Sequence, residues 1–356
     1  MKENSACISA VAHGRSGGGV KISTVKRERT VPSNAGAHRS TPATCFVVPF
    51  YNGDKYIRSC LESISGNTDF SLEVLIVNNS DRPTDVHRIA EDFRNVIVID
   101  SEPHIGFGKA ANIGARAAIQ RGADYVICLN QDSIADKDLI KELLKPFREN
   151  TDTVMVSPII YTYDFKEIEP FFVRWYLVQC PGILRDALNN NLKSYYDMLF
   201  TSGACFAIKA EFISEFGFFD PLYFMYFEDE DLCRRIRYLG YRVVVAPNAK
   251  VAHHHSHTNC DNTGKEMIIF WQRQSFAVYM LKDVKLPLAS AFLRMEMKLL
   301  STYMRLLPRL RLREIFKNLF ADIRLHLSLP RILNSRRTES RYSGLKSGST
   351  KERSHA

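Results

Sequence analysis

The chain has 356 residues, 45% of them hydrophobic and 24% charged, and a formal net charge of +9. That is ordinary globular composition, with enough length to bury a sizeable core in one large domain plus appendages, or in two domains. No apolar run approaches the ~20 residues of a membrane-spanning helix, and the first residues lack the apolar stretch of a signal peptide, so neither is expected.

The charge is unevenly spread. Residues 281–356 hold 17 Lys/Arg against 6 Asp/Glu, and residues 1–44 hold 7 against 2, leaving 45–280 with 24 against 31. A mildly acidic core with basic ends predicts an anionic surface as partner for the ends, and argues against nucleic acid as ligand of the core. Eight cysteines are scattered with no Cys-x-x-Cys pair, several inside apolar runs such as Val126–Leu129. They read as free, buried thiols of a reducing compartment.

Residues 1–44, rich in Ser, Gly, Lys and Arg, read as a disordered extension. From Cys45 the pattern alternates. Strands are expected at 45–49, 73–78, 95–100, 125–130 and 154–160, and helices at 55–65, 84–93, 106–121 and 136–148. Short apolar strands separated by helices predict an α/β fold with a doubly wound, mostly parallel sheet, whose ligands bind beyond the carboxyl ends of the strands. Residues 161–198 are irregular and aromatic-rich. A strand with Gly203 inside it is expected over 199–208, a helix over 229–239 and a strand over 241–246. Residues 286–327 form a basic amphipathic helical extension with an apolar stripe of Leu312, Ile315, Phe316, Leu319 and Ile323. The expected organisation is thus an extension (1–44), a globular α/β domain (45–280), basic helices (281–333) and a disordered tail (334–356).

Polar residues at the strand ends are the place to look for chemistry. Pro49-Phe50-Tyr51-Asn52-Gly53 ends the first strand; its Pro is expected to end the sheet ladder, and the ring and amide suit either a nucleobase or a plain turn. Asn78-Asn79-Ser80-Asp81 ends the second strand and serves equally as base ligand or turn. Gly106-Phe107-Gly108 through Asn112 resembles half of a dinucleotide fingerprint, but lacks its third Gly and acidic partner, and also reads as a tight turn into a helix. Asn130-Gln131-Asp132-Ser133 delivers one carboxylate past the fourth strand. With diphosphate oxygens and waters it suffices for Mg²⁺ or Mn²⁺, or else it caps the next helix.

Glu228-Asp229-Glu230-Asp231 opens a helix behind the aromatic run Tyr223–Phe227. Four acids stabilise a helix N-terminus; against such a wall they also invite a raised carboxylate pKa, which suits a general base. His253-His254-His255 and His257 stand near Cys260, in spacing that matches no structural zinc pattern. One imidazole contributed to a metal held mainly by Asp132 fits better.

In order and spacing these features resemble family 2 glycosyltransferases, which have the GT-A fold, from about Cys45 to His257. The resemblance rests on the Pro-x-Tyr-Asn turn, the Gly-Phe-Gly-x-x-x-Asn helix start and the Asn-x-Asp motif. It continues through Ser202-Gly203-Ala204-Cys205, Phe-Glu-Asp-x-Asp-Leu, Gly240-Tyr241-Arg242-Val243 and a terminal His. The Asn-Gln-Asp-Ser version looks like the rhamnosyltransferase branch.

The resemblance implies a divalent cation (Mg²⁺ or Mn²⁺) held by Asp132 and His253, and Asp229 as catalytic base. It implies a donor pocket of Pro49, Tyr51, Asn52, Asn78, Asn79, Gly106, Phe107, Asn112, Asn130 and Gln131, and acceptor contacts at Gly203 and Glu228. The expected substrates are a nucleoside-diphosphate sugar, deoxythymidine-diphosphate rhamnose first, and a hydroxyl of a lipid-linked or polysaccharide acceptor. The enzyme is expected in the cytoplasm, on the inner face of the membrane if the basic helices bind anionic lipid; their stripe also suits packing on the catalytic domain or a second subunit. A non-catalytic sugar-nucleotide-binding relative and a nucleotidyltransferase are the other classes considered. One departure stands out: the family's second strand usually ends in Asp-Asn, here Asn78-Asn79, which removes a charged acceptor from the nucleoside end.

Overall fold

The computed structural model describes residues 42–67, 72–254, 262–309 and 311–349. His255, His257 and Cys260 of the candidate zinc cluster, and most of the expected N-terminal extension, lie outside the described residues.

In chain order the first half runs β1 (Thr44–Phe50), α1 (Asp54–Ser65), β2 (Leu72–Asn78), α2 (Val86–Ala90), β3 (Val96–Asp100), α3 (Phe107–Gln120), β4 (Tyr125–Leu129), β5 (Ser133–Ala135), α4 (Leu139–Glu149) and β6 (Thr153–Tyr161). Then follow α5 (Pro170–Trp175), α6 (Pro181–Leu188), β7 (Tyr196–Asp197), β8 (Cys205–Lys209), α7 (Ala210–Phe216), α8 (Glu228–Tyr238) and β9 (Arg242–His253). Four helices close the chain: α9 (Asn262–Lys282), α10 (Leu288–Leu306), α11 (Leu312–Leu327) and α12 (Leu329–Ser349).

The chain forms two compact units, which cut it elsewhere than composition does. Among the described residues, one holds 42–220 and 232–254, and the other holds 221–231 and 262–349. The first unit is a nine-stranded sheet in the order β3-β2-β1-β4-β8-β6-β9-β5, with β7 added on β9. β3, β2, β1 and β4 are all parallel. β8 enters antiparallel to both β4 and β6, β6 runs parallel to β9, and β5 and β7 are antiparallel to β9. β1, predicted from its apolar run, lies inside the sheet between β2 and β4, and every one of its residues is buried. α3 lies close on this sheet because Gly114 has no side chain; a Cβ there would collide with Val47 and crowd Val77. Pro49 does not end the ladder, since pairing continues to Phe50 opposite Asn78.

Several elements differ from expectation. The strand expected over 199–208 begins only at Cys205, so Gly203 lies in the turn before it. The 84–93 helix is confined to α2. The irregular 161–198 stretch contains α5, whose N-terminus is capped by Glu169 accepting from the Phe171 and Phe172 amides.

The helical unit has its own core of Tyr223, Ala277, Val278, Leu281, Met295, Leu299, Leu325 and Ile332. Buried ions are paired within it. Lys282 donates to Asp231 and forms an ion pair with Glu339, both at 2.7 Å, and Arg273 donates to Asp322 at 2.5 Å. These pairs also explain why α12 overruns the expected start of a disordered tail at 334. Its Arg336 guanidinium donates to the carbonyls of Leu281, in the last turn of α9, and of Asp283 and Leu286 just past it, while Glu339 meets Lys282. Polar composition there reflects partners elsewhere in the chain.

Candidate functional site

The fourth strand delivers Asp132 as its spacing suggests, and the structure decides what Asp132 does. It caps no helix: β5 follows it, and the residue before α4 is Asp138. β5 pairs with the end of β9 so that Ser133 stands opposite His253. The ladder brings Asp132 Oδ1 to 3.2 Å from His253 Nε2, and the His254 amide donates to the Asp132 carbonyl (3.0 Å). Asp132 is buried, 4% exposed.

The same imidazole nitrogen lies 3.2 Å from Asn130 Nδ2, and Asn130 Oδ1 is buried without a hydrogen-bond partner. Behind them the Cys60 thiol points to the Asn130 carbonyl; burial, and then the Asp132 charge, push its pKa up, so it stays a thiol. These residues fit a hard divalent cation. The carboxylate oxygen suits Mg²⁺ or Mn²⁺, the imidazole adds a softer donor that Mg²⁺ takes less readily, and ligands on adjacent corners of an octahedron with bonds of about 2.1 Å lie about 3 Å apart, close to the Asp132–His253 separation. His254, which the sequence offered only as a member of the His cluster, packs its ring against Tyr56 (4.7 Å) and Tyr163 (5.1 Å) just past the end of β9.

The residues expected to hold the nucleoside stand at the ends of β1 and β2, beside the end of β3. Tyr51 OH and Asn52 Nδ2 each donate to the Asp81 carboxylate at 2.8 Å. Burial raises the Asp81 pKa, but these two hydrogen bonds outweigh it and hold the group below the usual range. The Tyr51 ring lies 5.1 Å from that of His104. Asn78 donates through Nδ2 to Asp100 Oδ1 (2.9 Å), which also faces His87 Nε2 at 3.0 Å. Asn78 and Asp100 are register neighbours across the β2–β3 ladder. The negative charge missing from the end of β2 therefore stands one strand over. Sequence reading missed Asp100; its place as the last residue of an apolar strand was the available signal.

Other expected ligands are committed to holding backbone. Gln131 pairs with Tyr51 like a strand neighbour, accepting from its amide at 2.8 Å and donating to its carbonyl at 3.0 Å. Asn79 Oδ1 accepts from the Ile105 amide (2.7 Å) and fixes the loop ahead of α3. Asn112 clamps Phe219, donating to its carbonyl (2.8 Å) and accepting from its amide (3.0 Å). Gly106, at φ +92, supplies the left-handed turn into α3, and the Phe107 ring packs 5.8 Å from Phe219. These residues shape the surroundings of the strand ends.

The acidic run is described within the helical unit. Tyr226 and Phe227 both have left-handed backbones (φ +70 and +64), a conformation that costs about 1–3 kcal/mol each and that clusters at functional sites. The turn they make sends Glu228 into the interior, 6% exposed, with Oε2 lacking a hydrogen-bond partner. Burial, then the Asp229 charge, raise the Glu228 pKa well above the carboxylate range. Asp229 is partly exposed, and its Oδ1 accepts from the Glu230 amide (2.9 Å). Asp231, fully buried, belongs to the ion pair with Lys282 and accepts from Tyr223 OH (3.1 Å). The four acids thus divide into a buried one whose pKa is raised, two at the helix start and one structural ion.

A mixed sheet with this strand order, and a carboxylate past the end of β4, define a GT-A fold. Residues 45–217 match the model for glycosyl transferase family 2, so the chain carries a family 2 glycosyltransferase domain.

Its relatives include rhamnosyltransferases. The chain is 24% identical over 238 residues to an N-acetylglucosaminyl-diphospho-decaprenol L-rhamnosyltransferase of Mycobacterium tuberculosis, covering 58% of this chain and 75% of that protein. It is 29% identical over 129 residues to the putative glycosyltransferase EpsH of Bacillus subtilis, covering 36% of each. The chain thus spans about a third of the length of EpsH. Among solved structures, the mannosyltransferase PcManGT of Pyrobaculum calidifontis, in complex with GDP-Man and Mn²⁺, superposes with TM-score 0.51 at 18% identity, over 84% of this chain and 74% of that one.

Proposed function

We propose that this chain is an inverting glycosyltransferase that moves a sugar, rhamnose first, from a nucleoside-diphosphate sugar to a hydroxyl of a lipid-linked or polysaccharide acceptor in cell-surface glycan synthesis. The observation that carries the reading is the Asp132–His253 pair at the ligand-binding edge of the sheet, with Tyr51, Asn78 and Asp100 ending the neighbouring parallel strands. Rhamnose and the lipid-linked acceptor are favoured by the mycobacterial relative, whose name carries both.

In this reading Asp132 and His253 hold a divalent cation, which when bound neutralises charge on the donor diphosphate. Tyr51, Asn52, Asn78 and Asp100 orient the nucleoside. Asp229 accepts the proton of the attacking hydroxyl, and Glu228, whose pKa is raised by burial and by the Asp229 charge, belongs to the acceptor side in this reading. Exposed aromatic side chains on α5, Phe171 and Trp175, suit stacking against a sugar acceptor. The reading sets the enzyme in the cytoplasm. The six described cysteines are buried and unbridged, as expected in a reducing compartment. Among the described residues no helix is long and apolar enough to cross a membrane.

The test is a screen of nucleoside-diphosphate sugars for metal-stimulated hydrolysis, followed by transfer to acceptors with the wild type and Asp229→Asn. Release of nucleoside diphosphate, with turnover in the variant reduced about 10²–10⁴-fold and donor binding kept, is expected. Release of pyrophosphate would instead make the protein a nucleotidyltransferase. Near-wild-type transfer by the variant would remove Asp229 from the base role.

A further inference from the structure

The basic C-terminal helices carry an apolar stripe whose direction sequence leaves open. In the structure α11 is inside out. Asn318 and Asp322 share its buried face with Leu325, while Leu312, Phe316, Leu319, Phe320, Ile323 and Leu327 are exposed, Phe316 by 67% and Leu327 by 76%. Burial of Asp322 is compensated within the helical unit: Arg273 and Tyr303 both donate to its Oδ2, at 2.5 and 2.6 Å. α10 is apolar on two sides. Ala291, Met295 and Leu299 face its core, and Leu293, Met297, Leu300 and Met304 form a second row, each more than half exposed. Soluble helices point one apolar stripe inward and rarely leave a second of this size to water.

The charges on the same helices select the occupant. Exposed basic residues directly follow exposed apolar ones: Arg294 after Leu293, Lys298 after Met297, Arg305 after Met304, Arg313 after Leu312, Lys317 after Phe316 and Arg324 after Ile323. All three acids of α10 and α11 are occupied by cations within the unit. Glu296 meets His326 at 2.7 Å, Glu314 meets Arg311 at 3.3 Å, and Asp322 meets Arg273. The outward faces therefore offer bulky apolar side chains flanked by positive charge, while the partly exposed acids Glu296 and Glu314 are already paired with His326 and Arg311. A second copy of the chain would oppose like charge to like charge across a two-fold contact. An anionic bilayer satisfies both features: acyl chains receive the apolar rows, and lipid head groups meet cations at the ends of stems long enough to reach them.

We propose that the outer faces of α10 and α11 dock this protein on an anionic lipid surface, lying in the interface without crossing it. The inference does not depend on the proposed reaction, because its test reads no catalysis. The full chain is mixed with vesicles of phosphatidylcholine alone or containing 30% phosphatidylglycerol, at low and high salt, and bound protein is measured by flotation. Binding to the anionic vesicles that falls with salt is expected. Arg294→Gln/Arg305→Gln/Arg313→Gln is expected to weaken partitioning about a hundredfold, at about fivefold per basic residue. Phe316→Ser/Phe320→Ser is expected to abolish retention at high salt. Both variants change exposed side chains, and thermal melts matching wild type establish that they are folded. No flotation of wild type at low salt, or equal flotation with neutral vesicles, overturns the proposal. Concentration-dependent self-association in solution that is lost in Phe316→Ser/Phe320→Ser, without vesicle binding, assigns the face to a second copy and overturns it as well.

Discussion

Asp132 Oδ1 lies 3.2 Å from His253 Nε2, although 121 residues separate them. The three-residue strand β5 makes this contact by pairing with the end of β9. If the two groups share one cation, neither holds it alone, because two protein ligands leave most of the coordination shell to donor phosphates and water. Mn²⁺ affinity measured by calorimetry is therefore expected to be weak without nucleotide and to rise with a nucleoside diphosphate. Asp132→Asn and His253→Ala should each lower the affinity of the nucleotide-loaded state about 10-fold or more. Wild-type Mn²⁺ affinity in both variants would sink the assignment.

Asp100 stands where a charged acceptor from the end of β2 would otherwise act. A carboxylate accepts several hydrogen bonds at once, so contacts to Asn78 and His87 leave it chemically able to take an imide N–H of a pyrimidine base. Asp100→Asn keeps the shape and removes the charge. Loss of a hydrogen bond to a charged group predicts about 10- to 100-fold weaker binding of uridine or thymidine diphosphate, with little change for guanosine diphosphate. Equal affinities for pyrimidine nucleotides in variant and wild type would remove Asp100 from base recognition.

Gly53 is required by a neighbour 78 positions on. A Cβ at Gly53 would strike the Gln131 carboxamide that pairs with the Tyr51 backbone. Gly53→Ala should cost about 1–3 kcal/mol of stability in urea unfolding, as overpacking does. Gln131→Ala removes the obstacle, so Gly53→Ala made in that background should cost clearly less. Strict additivity of the two changes would show that the collision is not the cause.

Glu228 gives stability a pH dependence of definite sign. Burial, followed by the charges of Asp229, Glu230 and Asp231, raises its folded pKa. Between the unfolded and the raised folded value, the folded state binds the extra proton, so stability falls as pH rises through that window. Glu228→Gln mimics the protonated acid at every pH. Thermal melts should show the variant gaining on wild type from pH 5 to pH 8, with the smallest difference below the ordinary glutamate pKa. A difference that shrinks over that range would contradict the raised pKa.

Much of the fold was legible because its strands are locally apolar. β1, β2, β3, β4 and β6 all fall within a residue or two of where hydrophobic runs predict them. β5 was not legible: Ser133-Ile134-Ala135 is too short to carry a period, and it exists because β9 offers an edge. Among the site residues, Asp132 and His253 lie side by side. The amides did not divide by type. Asn78 and Asn130 lie against Asp100 and His253, whereas Asn79, Asn112 and Gln131 hold backbone. A carboxamide serves a ligand or a peptide group equally well, so only its neighbours decide.

Sequence by itself determined the alternation of strands and helices, the carboxylate after the fourth strand, the acids ahead of α8 and the basic apolar stripe near the C-terminus. Each is a local pattern, set by side-chain period or by composition over a few residues. Tertiary structure alone decided that Asp132 meets an imidazole instead of capping a helix, and that Asp100 stands in beside Asn78. It also decided that Glu228 is buried while Asp231 is ion-paired, and that the α11 stripe faces outward. Those outcomes depend on which distant segment arrives beside a residue, which strand register and helix packing settle and local sequence does not encode.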